Sequence, residues 1–246
     1  MRTPRAAGIG AIVSSLATLA TTVAIADQTK IASYGAAEKH LYGLYAGAGA
    51  RDLTDVHCGI RFKVDLNDTK RPTDWLSMEH AYAADWMADR FGCANRTDCR
   101  AHPNPKSRAR FNHAEGDLHN LWPAITNLNS ARGKRLFGEI AGAETREIDV
   151  HGKTFARDFQ PEGNYVEPRR IVRGNFARSI FYMCAEYGFP VDPGMMKTLK
   201  AWNRDDPPTN AEKARAEKIF KIQGTRNHFI ENPPRADSLT CGSKRP

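Results

Sequence analysis

Two short polar segments carry residue types that could do chemistry together. Glu79 and His80 are adjacent, so a carboxylate able to hold a divalent cation stands beside an imidazole able to move a proton. The pair alone does not define a site, because adjacent Glu and His residues also occur as solvated surface groups. The second segment places Asp117, His119 and Asn120 at the start of an apolar run. These residues either cap a helix or present an oxygen ligand from its N-terminus.

Five motifs, in this order along the chain, resemble the bacterial endonuclease I family of periplasmic or secreted DNases. They are Met78-Glu79-His80, the segment 115–124, the run 167–183, Ala201-Trp202-Asn203 and the segment 223–227. All of them fall between residues 35 and 233. The resemblance implies an α+β fold, mostly helical, in a single domain that contains a ββα-metal core, or His-Me finger.

The resemblance also implies a role for each candidate site residue. His80 corresponds to the general base, and Arg96 to the arginine beside the scissile phosphate. Glu79 and Asn120 correspond to the ligands of a single Mg²⁺ ion, with Ca²⁺ or Mn²⁺ as alternatives. The implied reaction is hydrolysis of single- or double-stranded DNA, with RNA as a second candidate, by a monomer that leaves 5′-phosphate ends. His119 adjoins Asn120, but neighbouring helical side chains point about 100° apart, so we expect it to support the site rather than bind the ion.

Two segments depart from the family pattern. Ala81-Tyr82-Ala83-Ala84 follows the Glu-His pair, where the family has an apolar pair and a proline. Asn129-Ser130-Ala131-Arg132 replaces the usual Asn-Gly-Asp-Arg. These changes affect the expected loop geometry and leave the implied catalytic residues in place.

The net charge points to an anionic partner. The 246-residue chain carries 36 Lys and Arg residues against 28 Asp and Glu, a formal charge of +8. We expect the basic residues around the site to bind the nucleic-acid backbone: Lys106, Arg108, Arg110, Arg132, Lys134, Arg135, Arg169, Arg170, Arg173 and Arg178. The alternative is a set of solvated faces. Phosphate contacts carry little sequence information and no base-reading motif is visible, so we expect low sequence specificity.

Two other functions are compatible with this pattern. One is a nucleic-acid-binding protein that has lost catalysis, which the presence of Glu79, His80, Arg96 and Asn120 disfavours. The other is a phosphodiesterase of small substrates, which the wide spread of basic residues disfavours. A plasmid-nicking assay with and without a chelator distinguishes the three functions.

The N-terminus has the pattern of a secretory signal peptide. Arg2 and Arg5 precede an uncharged stretch, residues 6–26, that ends in Ala24-Ile25-Ala26. Its Ala, Ser and Thr content disfavours the alternative of an uncleaved membrane anchor. We therefore expect a signal peptide over residues 1–26 and a mature domain over 27–246, free of the membrane and located in the periplasm or secreted. Cleavage removes two arginines and leaves a net charge of +6.

Export makes disulfides the expected state of the five cysteines. Cys93 and Cys99 close a short loop around Arg96, so a local bridge is the favoured pairing. Cys184 lies in an apolar run and is interpreted as a buried free thiol, which leaves Cys58 and Cys241 as a second candidate pair. A zinc site is disfavoured because no C-x-x-C spacing occurs.

Periodicity and turn residues predict the elements that position these groups. In the first half we expect a helix over residues 31–45, a strand over 57–66, a strand or helix start over 75–80, a loop over 92–111 and a helix from Asp117. In the second half we expect helices over 168–187, 195–202 and 210–223, then a loose tail from Asn232. The tryptophans Trp75, Trp86, Trp122 and Trp202 are interpreted as core residues. A content of 41% hydrophobic and 26% charged residues supports a globular protein.

Overall fold

The computed structural model describes residues 27–45, 53–57, 59–62, 76–142, 147–150, 153–156 and 159–242, with the backbone alone for 147–150, 153–156 and 159–161. The helices are α1 Tyr34–Gly43, α2 Ala84–Arg90, α3 Arg96–Arg100, α4 Pro105–Glu115, α5 Thr126–Arg132, α6 Arg173–Tyr187, α7 Pro193–Asp205, α8 Asn210–Gln223 and α9 His228–Glu231. The strands are β1 Leu53–Thr54, β2 Arg61–Phe62, β3 Leu76–His80, β4 Leu121–Ile125, β5 Leu136–Phe137, β6 Glu147–Val150, β7 Lys153–Ala156, β8 Phe159–Glu162 and β9 Tyr165–Pro168. Short 3-10 helices lie at Arg170–Val172 and Pro233–Ser238.

The strands form small separate sheets, and helices make up most of the described chain, as expected for an α+β protein. β3 and β4 pair antiparallel, with Leu76 opposite Ile125 and His80 opposite Leu121. β5, β9 and β8 form a three-stranded sheet in which β5 and β9 are parallel. The pairs β1–β2 and β6–β7 are antiparallel ribbons. Within the described ranges, no helix has the length and apolar character needed to span a membrane.

α6 lies at the centre of the main hydrophobic core. Most of its residues are buried, among them Phe176, Phe181 and Tyr182, and α7 packs along it. α6 ends at Gly188, whose φ of 68° is the left-handed conformation that glycine adopts without a Cβ penalty. Trp86, Trp122 and Trp202 are buried, which confirms them as core residues, whereas Trp75 lies outside the described residues.

The helix predicted from Asp117 is wrong. Residues Leu121 to Ile125 form strand β4 and are buried at every position. A short apolar run buried on both faces lacks the alternation that identifies a strand, so its pattern also fits a helix. The backbone of Pro123 lies beside β1, since the Val56 N–H donates to the Pro123 carbonyl at 2.8 Å. The helix begins only at Thr126.

The loop predicted over residues 92–111 is also wrong, since this segment contains α3 and most of α4. Asn95 caps α3 by accepting a hydrogen bond from Asp98 N, and Asn104 caps α4 by accepting from Lys106 N and Ser107 N. Pro105 begins α4, where its missing N–H costs no helical bond. The segment has many charged residues and few apolar ones, so no helical periodicity pointed to these two capped helices.

Other predicted elements agree with the structure to different extents. α1 lies within the predicted 31–45, and α8 has the predicted bounds. α6 begins at Arg173, after a 3-10 turn, and α7 extends the predicted 195–202 in both directions. Of the two alternatives for 75–80, the strand is correct for Leu76–His80. Of the predicted strand 57–66, Arg61–Phe62 is a strand, while residues 58 and 63–66 lie outside the described residues.

The cysteine pairing corrects part of the prediction. Cys93 and Cys99 form the expected local disulfide, with Cα atoms 5.5 Å apart. Cys184 is bonded to Cys241 with Cα atoms 5.8 Å apart, so it is not a free thiol, and Cys241 does not pair with Cys58. Cys58 lies outside the described residues. An apolar neighbourhood is equally suited to a buried disulfide.

The expectation of a loose tail from Asn232 is wrong for the residues that the structure describes. Pro233–Ser238 forms a 3-10 helix. Beyond it, the disulfide between Cys241 and Cys184 attaches the C-terminal segment to α6. Lys200 Nζ donates to the carbonyl oxygens of Asp237 and Leu239, each at 3.0 Å. These long-range contacts are not visible in the local composition.

Candidate functional site

The residues with catalytic potential meet at the C-terminal end of β3. A cleft of about 170 Å³ opens there, beside α5 and the start of α2. Of the predicted site residues, Glu79, His80, Arg96 and Arg132 line it. Tyr34 and Asn129, which the sequence analysis did not select, line it as well.

Glu79 presents a buried carboxylate to this cleft. Its side chain is 1% exposed, and its Oε1 atom makes no hydrogen bond to any described residue. Oε1 lies 3.3 Å from Arg132 Nη1 and 4.0 Å from His57 Nε2. Burial raises the pKa of Glu79 to about 7, although the positive charge of Arg132 partly opposes this. The carboxylate therefore has an oxygen with unused acceptor capacity and would gain from a cation.

His80, the last residue of β3, has a defined tautomer. Its Nε2 atom lies 2.9 Å from the carbonyl oxygen of Glu115, and because a carbonyl only accepts, Nε2 must carry the proton. Nδ1 then holds the lone pair. Burial and the charge of Arg96 lower the pKa of His80 to about 4, so the imidazole is neutral at neutral pH and can accept a proton.

Arg96 brings positive charge to the cleft. Its Nε atom donates to Glu115 Oε1 at 2.8 Å, and its side chain is 35% exposed. The same carboxylate receives two hydrogen bonds from Arg100, each at 2.8 Å. Burial by itself would raise the pKa of Glu115, but these guanidinium hydrogen bonds, and the nearby charges, lower it overall. Glu115 is therefore an ionised anchor for both arginines, and its backbone orients His80.

Asn120 does not reach the cleft. Its side chain is fully buried, accepts a hydrogen bond from Tyr82 N at 2.7 Å and donates one to Tyr82 O at 3.1 Å. Both ends of the amide thus close the turn that follows β3. His119 Nε2 meets the carbonyl of Thr225 at 3.1 Å, which agrees with a supporting rather than an ion-binding role.

Asn129 is the amide that lies in the cleft. Its Nδ2 atom donates to Ser77 Oγ at 2.9 Å and to Met78 O at 3.2 Å, which attaches α5 to β3 directly before Glu79. Both bonds use the nitrogen, so the amide oxygen is the end available to a ligand. Asn129 belongs to the Asn-Ser-Ala-Arg segment noted in the sequence. That segment points to the cleft only if residues 121–125 form a strand, because the helix that carries Asn129 then begins at Thr126.

Two of the predicted phosphate-binding arginines are structural. Arg132 is 1% exposed and donates to the carbonyl oxygens of His80 and Ala81 at 2.9 and 2.8 Å. Arg178 is fully buried, where it donates to Glu212 Oε1 at 2.8 Å and to the Asp206 carbonyl at 2.7 Å. Both guanidiniums are buried and bonded within the protein, so we do not retain them among the proposed nucleic-acid contacts.

The other predicted cations retain some exposure. Lys106, Arg110, Lys134 and Arg170 are exposed. Half-buried guanidiniums belong to Arg108, Arg135, Arg169 and Arg173. Some of these have protein partners: Arg110 pairs with Asp27 at 2.7 Å, and Arg173 pairs with Glu167. They form a partly neutralised basic surface rather than a row of unpaired charges.

The cleft has few metal-binding groups, and those present suit a hard cation. Across the described ranges, no group of three or more His, Cys, Asp and Glu side chains could enclose an ion. The oxygen donors that line the cleft include the carboxylate of Glu79, with its unbonded buried oxygen, the exposed carboxylate of Asp85, and the amide oxygen of Asn129. Oxygen donors in a small number fit Mg²⁺, which usually retains several waters.

The sequence is similar to known nucleases. It matches the family model described as Endonuclease I over residues 48–234. It is 30% identical over 230 residues to an extracellular deoxyribonuclease of Aeromonas hydrophila, covering 88% of this chain and 94% of that protein. A periplasmic deoxyribonuclease of the same organism is 37% identical over 124 residues, half of each chain. An extracellular ribonuclease of Bacillus amyloliquefaciens is 34% identical over 161 residues, 57% of this chain and 53% of that protein.

Proposed function

This chain belongs to the Endonuclease I family and is an endonuclease, and we propose that it is an exported, metal-dependent enzyme that cleaves nucleic acid with little sequence preference. One observation carries the proposal. A neutral imidazole with a fixed tautomer, a buried carboxylate oxygen without a hydrogen bond, and a half-exposed guanidinium converge in one cleft. In-line hydrolysis of a phosphodiester needs a base and positive charge at the transition-state oxygens, which this set provides.

His80 acts as the general base. Its Nδ1 atom takes a proton from a water molecule while the water oxygen bonds to phosphorus and the bond from phosphorus to the 3′ oxygen breaks. The departing oxygen takes a proton from solvent, which gives a 5′-phosphate and a 3′-hydroxyl. The hydrogen bond from Nε2 to Glu115 O strengthens as the imidazole becomes positively charged.

Arg96 holds the scissile phosphate. Its Nε atom is occupied by Glu115, so the terminal nitrogens are the donors that can contact the phosphate oxygens. A guanidinium offers two parallel donors, which suits bidentate binding of a phosphate. Because Glu115 fixes its position, Arg96 needs little reorganisation when the transition state forms.

Glu79 and Asn129 are the proposed ligands of a single divalent cation. The unbonded Oε1 of Glu79 and the ligand-facing amide oxygen of Asn129 supply two oxygen donors. When bound, the cation would neutralise the negative charge that develops on the phosphate. This assignment keeps Glu79 from the sequence analysis and replaces Asn120 by Asn129. Mg²⁺ is our first choice, with Ca²⁺ and Mn²⁺ as alternatives.

The arrangement of β3, β4 and α5 supports a ββα-metal core. The two strands pair antiparallel, and α5 follows β4 directly and packs against both strands. The proposed base and one proposed ligand come from the end of the first strand, and the second ligand comes from the helix. The residues between the strands, 81–120, carry Arg96 and Glu115.

The substrate is proposed to be DNA, with RNA as a second candidate. The relatives that resemble this chain are named as deoxyribonucleases and as a ribonuclease. The exposed cations Lys106, Arg110, Lys134 and Arg170 are the proposed backbone contacts. These residues contact phosphate rather than base edges, so little sequence preference is expected.

The enzyme is proposed to be periplasmic or secreted, after removal of residues 1–26. Two relatives carry the words extracellular and periplasmic in their names. Two disulfides are consistent with an oxidising compartment. We further propose that the mature protein is a monomer.

A plasmid-nicking assay tests the proposal. The protein purified after export should convert supercoiled plasmid to nicked and linear forms with Mg²⁺, and EDTA should stop the reaction. His80→Ala should abolish cleavage, whereas the control His228→Ala, at an exposed histidine paired with Glu231, should retain it. Binding without cleavage would indicate a catalytically silent nucleic-acid-binding protein. Full activity of His80→Ala would contradict the proposed base, and a matched RNA substrate would settle the second candidate.

A further inference from the structure

Tyr34 contacts two proposed active groups at once. Its ring stacks on the His80 imidazole, with ring centroids 5.1 Å apart and an interplanar angle of 22°. The guanidinium carbon of Arg96 lies 4.9 Å from the centroid of the same ring, and that of Arg100 lies 5.7 Å away. Tyr34 precedes the residues that match the family model, 48–234. The family match therefore assigns it no role.

The ring of Tyr34 is itself held at both ends. Tyr34 is the first residue of α1, and the preceding Ser33 caps this helix by accepting a hydrogen bond from Ala36 N. Its hydroxyl donates to the carbonyl of Met78 at 3.1 Å, two residues before His80 on β3. The aromatic plane is thus fixed between the backbone of α1 and the strand that carries the base.

The segment before α1 is also attached to the active region. Gln28 is buried, and its Nε2 atom donates to the carbonyl of His113 on α4 at 2.6 Å. Asp27 pairs with Arg110 of the same helix at 2.7 Å. Since α4 ends at Glu115, Tyr34 and Glu115 approach the cleft from two elements that are joined to each other. A shift of α1 would therefore move the ring relative to both active groups.

The His80 ring needs such a contact. Within the described chain, the hydrogen bond that the structure gives the imidazole is the one from Nε2 to Glu115 O. A single bond sets the tautomer but allows the ring to tilt about it, which would change the direction of the Nδ1 lone pair. A stacked aromatic ring removes this freedom. The same ring lies against the guanidinium of Arg96, whose Nε atom is held by Glu115, and so restrains its plane as well.

We propose that Tyr34 is a positioning residue, whose ring holds the His80 imidazole and the Arg96 guanidinium in their reactive orientations. The inference rests on the proposed function of these two residues. It is the aromatic face that acts, whereas the hydroxyl serves to anchor the ring. A misplacement of about 1 Å in a reacting group can lower the rate about 100-fold.

Steady-state cleavage of duplex DNA at saturating Mg²⁺ tests this role. Tyr34→Leu should lower kcat by about 10- to 100-fold with KM changed less than about twofold, because orientation matters in the transition state more than in binding. Tyr34→Phe retains the ring and should recover most of the lost kcat. The matched control is Tyr42→Leu, at a fully buried tyrosine of the same helix, which should lower the melting temperature without a comparable loss of kcat in the folded protein.

A second measurement does not depend on turnover. The His80 ring protons should show an upfield ring-current shift in NMR spectra of the wild type and of Tyr34→Phe, and this shift should disappear in Tyr34→Leu. If Tyr34→Leu does not fold, Tyr34→Met replaces it in both measurements. In an Arg96→Ala background, Tyr34→Leu should cost less kcat than in the wild type, since one of the two groups that it positions is already absent.

The outcomes separate this inference from the proposed function. If His80→Ala is inactive while a folded Tyr34→Leu retains wild-type kcat, the positioning role is overturned and the proposed base stands. Loss of kcat in Tyr34→Phe equal to that in Tyr34→Leu would also overturn it, because the ring would not be the active element. If His80→Ala remains fully active, the proposed mechanism fails, and the role of Tyr34 fails with it.

Discussion

Replacing the two asparagines one at a time separates their roles. Asn120→Ala removes two buried hydrogen bonds with the backbone of Tyr82, at 2.7 and 3.1 Å. It leaves a buried N–H and a buried carbonyl without partners, each costing about 1–3 kcal/mol. The free energy of unfolding should therefore fall by about 2–6 kcal/mol, and the melting temperature by roughly 5–20 °C for a protein of this size.

Asn129→Ala should behave in the opposite way. The side chain is half-buried, and the bonds that it donates to Ser77 Oγ and Met78 O lie beside the open cleft. Water can replace them, so the stability loss should be about 1 kcal/mol or less. Removal of a proposed cation ligand should raise the Mg²⁺ concentration needed for half-maximal cleavage by about 10- to 100-fold, the range seen when groups that support a bound metal are removed.

Thermal unfolding and an Mg²⁺ titration of plasmid nicking measure the two effects on the same protein samples. Asn120→Ala, assayed well below its melting temperature, should retain the Mg²⁺ dependence of the wild type. The reasoning is refuted if Asn120→Ala melts like the wild type but loses its response to Mg²⁺, while Asn129→Ala titrates normally. That result would restore the assignment made from the sequence.

Three further predictions concern charge and covalent structure. Burial, with the charges of Asp117 and Asp27, raises the pKa of Glu186 to about 8 from an ordinary 4.5. The folded state therefore holds this proton more tightly, and the resulting stability is complete below pH 4.5 and is lost as the pH rises through 8. Between pH 5 and 8 the wild type should lose about 2 kcal/mol more unfolding free energy than Glu186→Gln. Urea unfolding at several pH values measures this, and the same pH dependence in both proteins would contradict the prediction. Arg178→Met, which leaves Glu212 buried and unpaired, should cost about 3–5 kcal/mol without changing the salt dependence of DNA binding, whereas Arg170→Ala should reduce the salt slope by about one at unchanged stability. Both effects are read from filter binding and thermal melts. Replacing Cys184 and Cys241 by serine opens a crosslink spanning 57 residues and should cost about 4 kcal/mol, while equal melting temperatures would show that the bridge constrains nothing.

Local signals predicted the helices of the second half well. α8 begins after a Thr209 cap and ends at Gly224 in the left-handed region, and both signals are visible in the sequence. α6 ends in the same way at Gly188. These boundaries depend on residues within the helix or next to it, so no tertiary information was needed to find them.

The site was predicted only in part, because several of its contacts are long-range. Glu79 and His80 were selected through a motif, and Arg96 through the family resemblance of the loop between Cys93 and Cys99. The hydrogen bond that fixes the tautomer of His80 is accepted by the backbone carbonyl of Glu115, 35 residues away in the chain. Every residue has such a carbonyl, so the sequence does not reveal this partner. Tyr34 reaches the site from a helix 44 residues before Met78 in the chain.

The burial of two basic residues could not be predicted, for a different reason. Arg132 and Arg178 look like solvated cations in the sequence, but each lies among backbone carbonyls and carboxylates that arrive from distant elements. An arginine has five donors and can satisfy several buried acceptors at once. The sequence gives the sign of a side-chain charge, but it does not show how many hydrogen-bond acceptors surround that side chain in the folded protein.

The change of the proposed ligand from Asn120 to Asn129 depends on whether one five-residue segment, 121–125, is a helix or a strand. If residues 121–125 were helical, Asn120 would lie in the first turn of the helix, and its amide would be directed outward. Because they form β4, Asn120 instead lies at the start of a strand paired with β3, beside the turn where the chain leaves His80. Both ends of its amide are hydrogen-bonded to the backbone of Tyr82 there, and the amide of the following helix that lines the cleft is Asn129. The secondary structure of this ambiguous apolar run thus determines which asparagine we propose as a cation ligand, and the paired asparagine variants test that proposal directly.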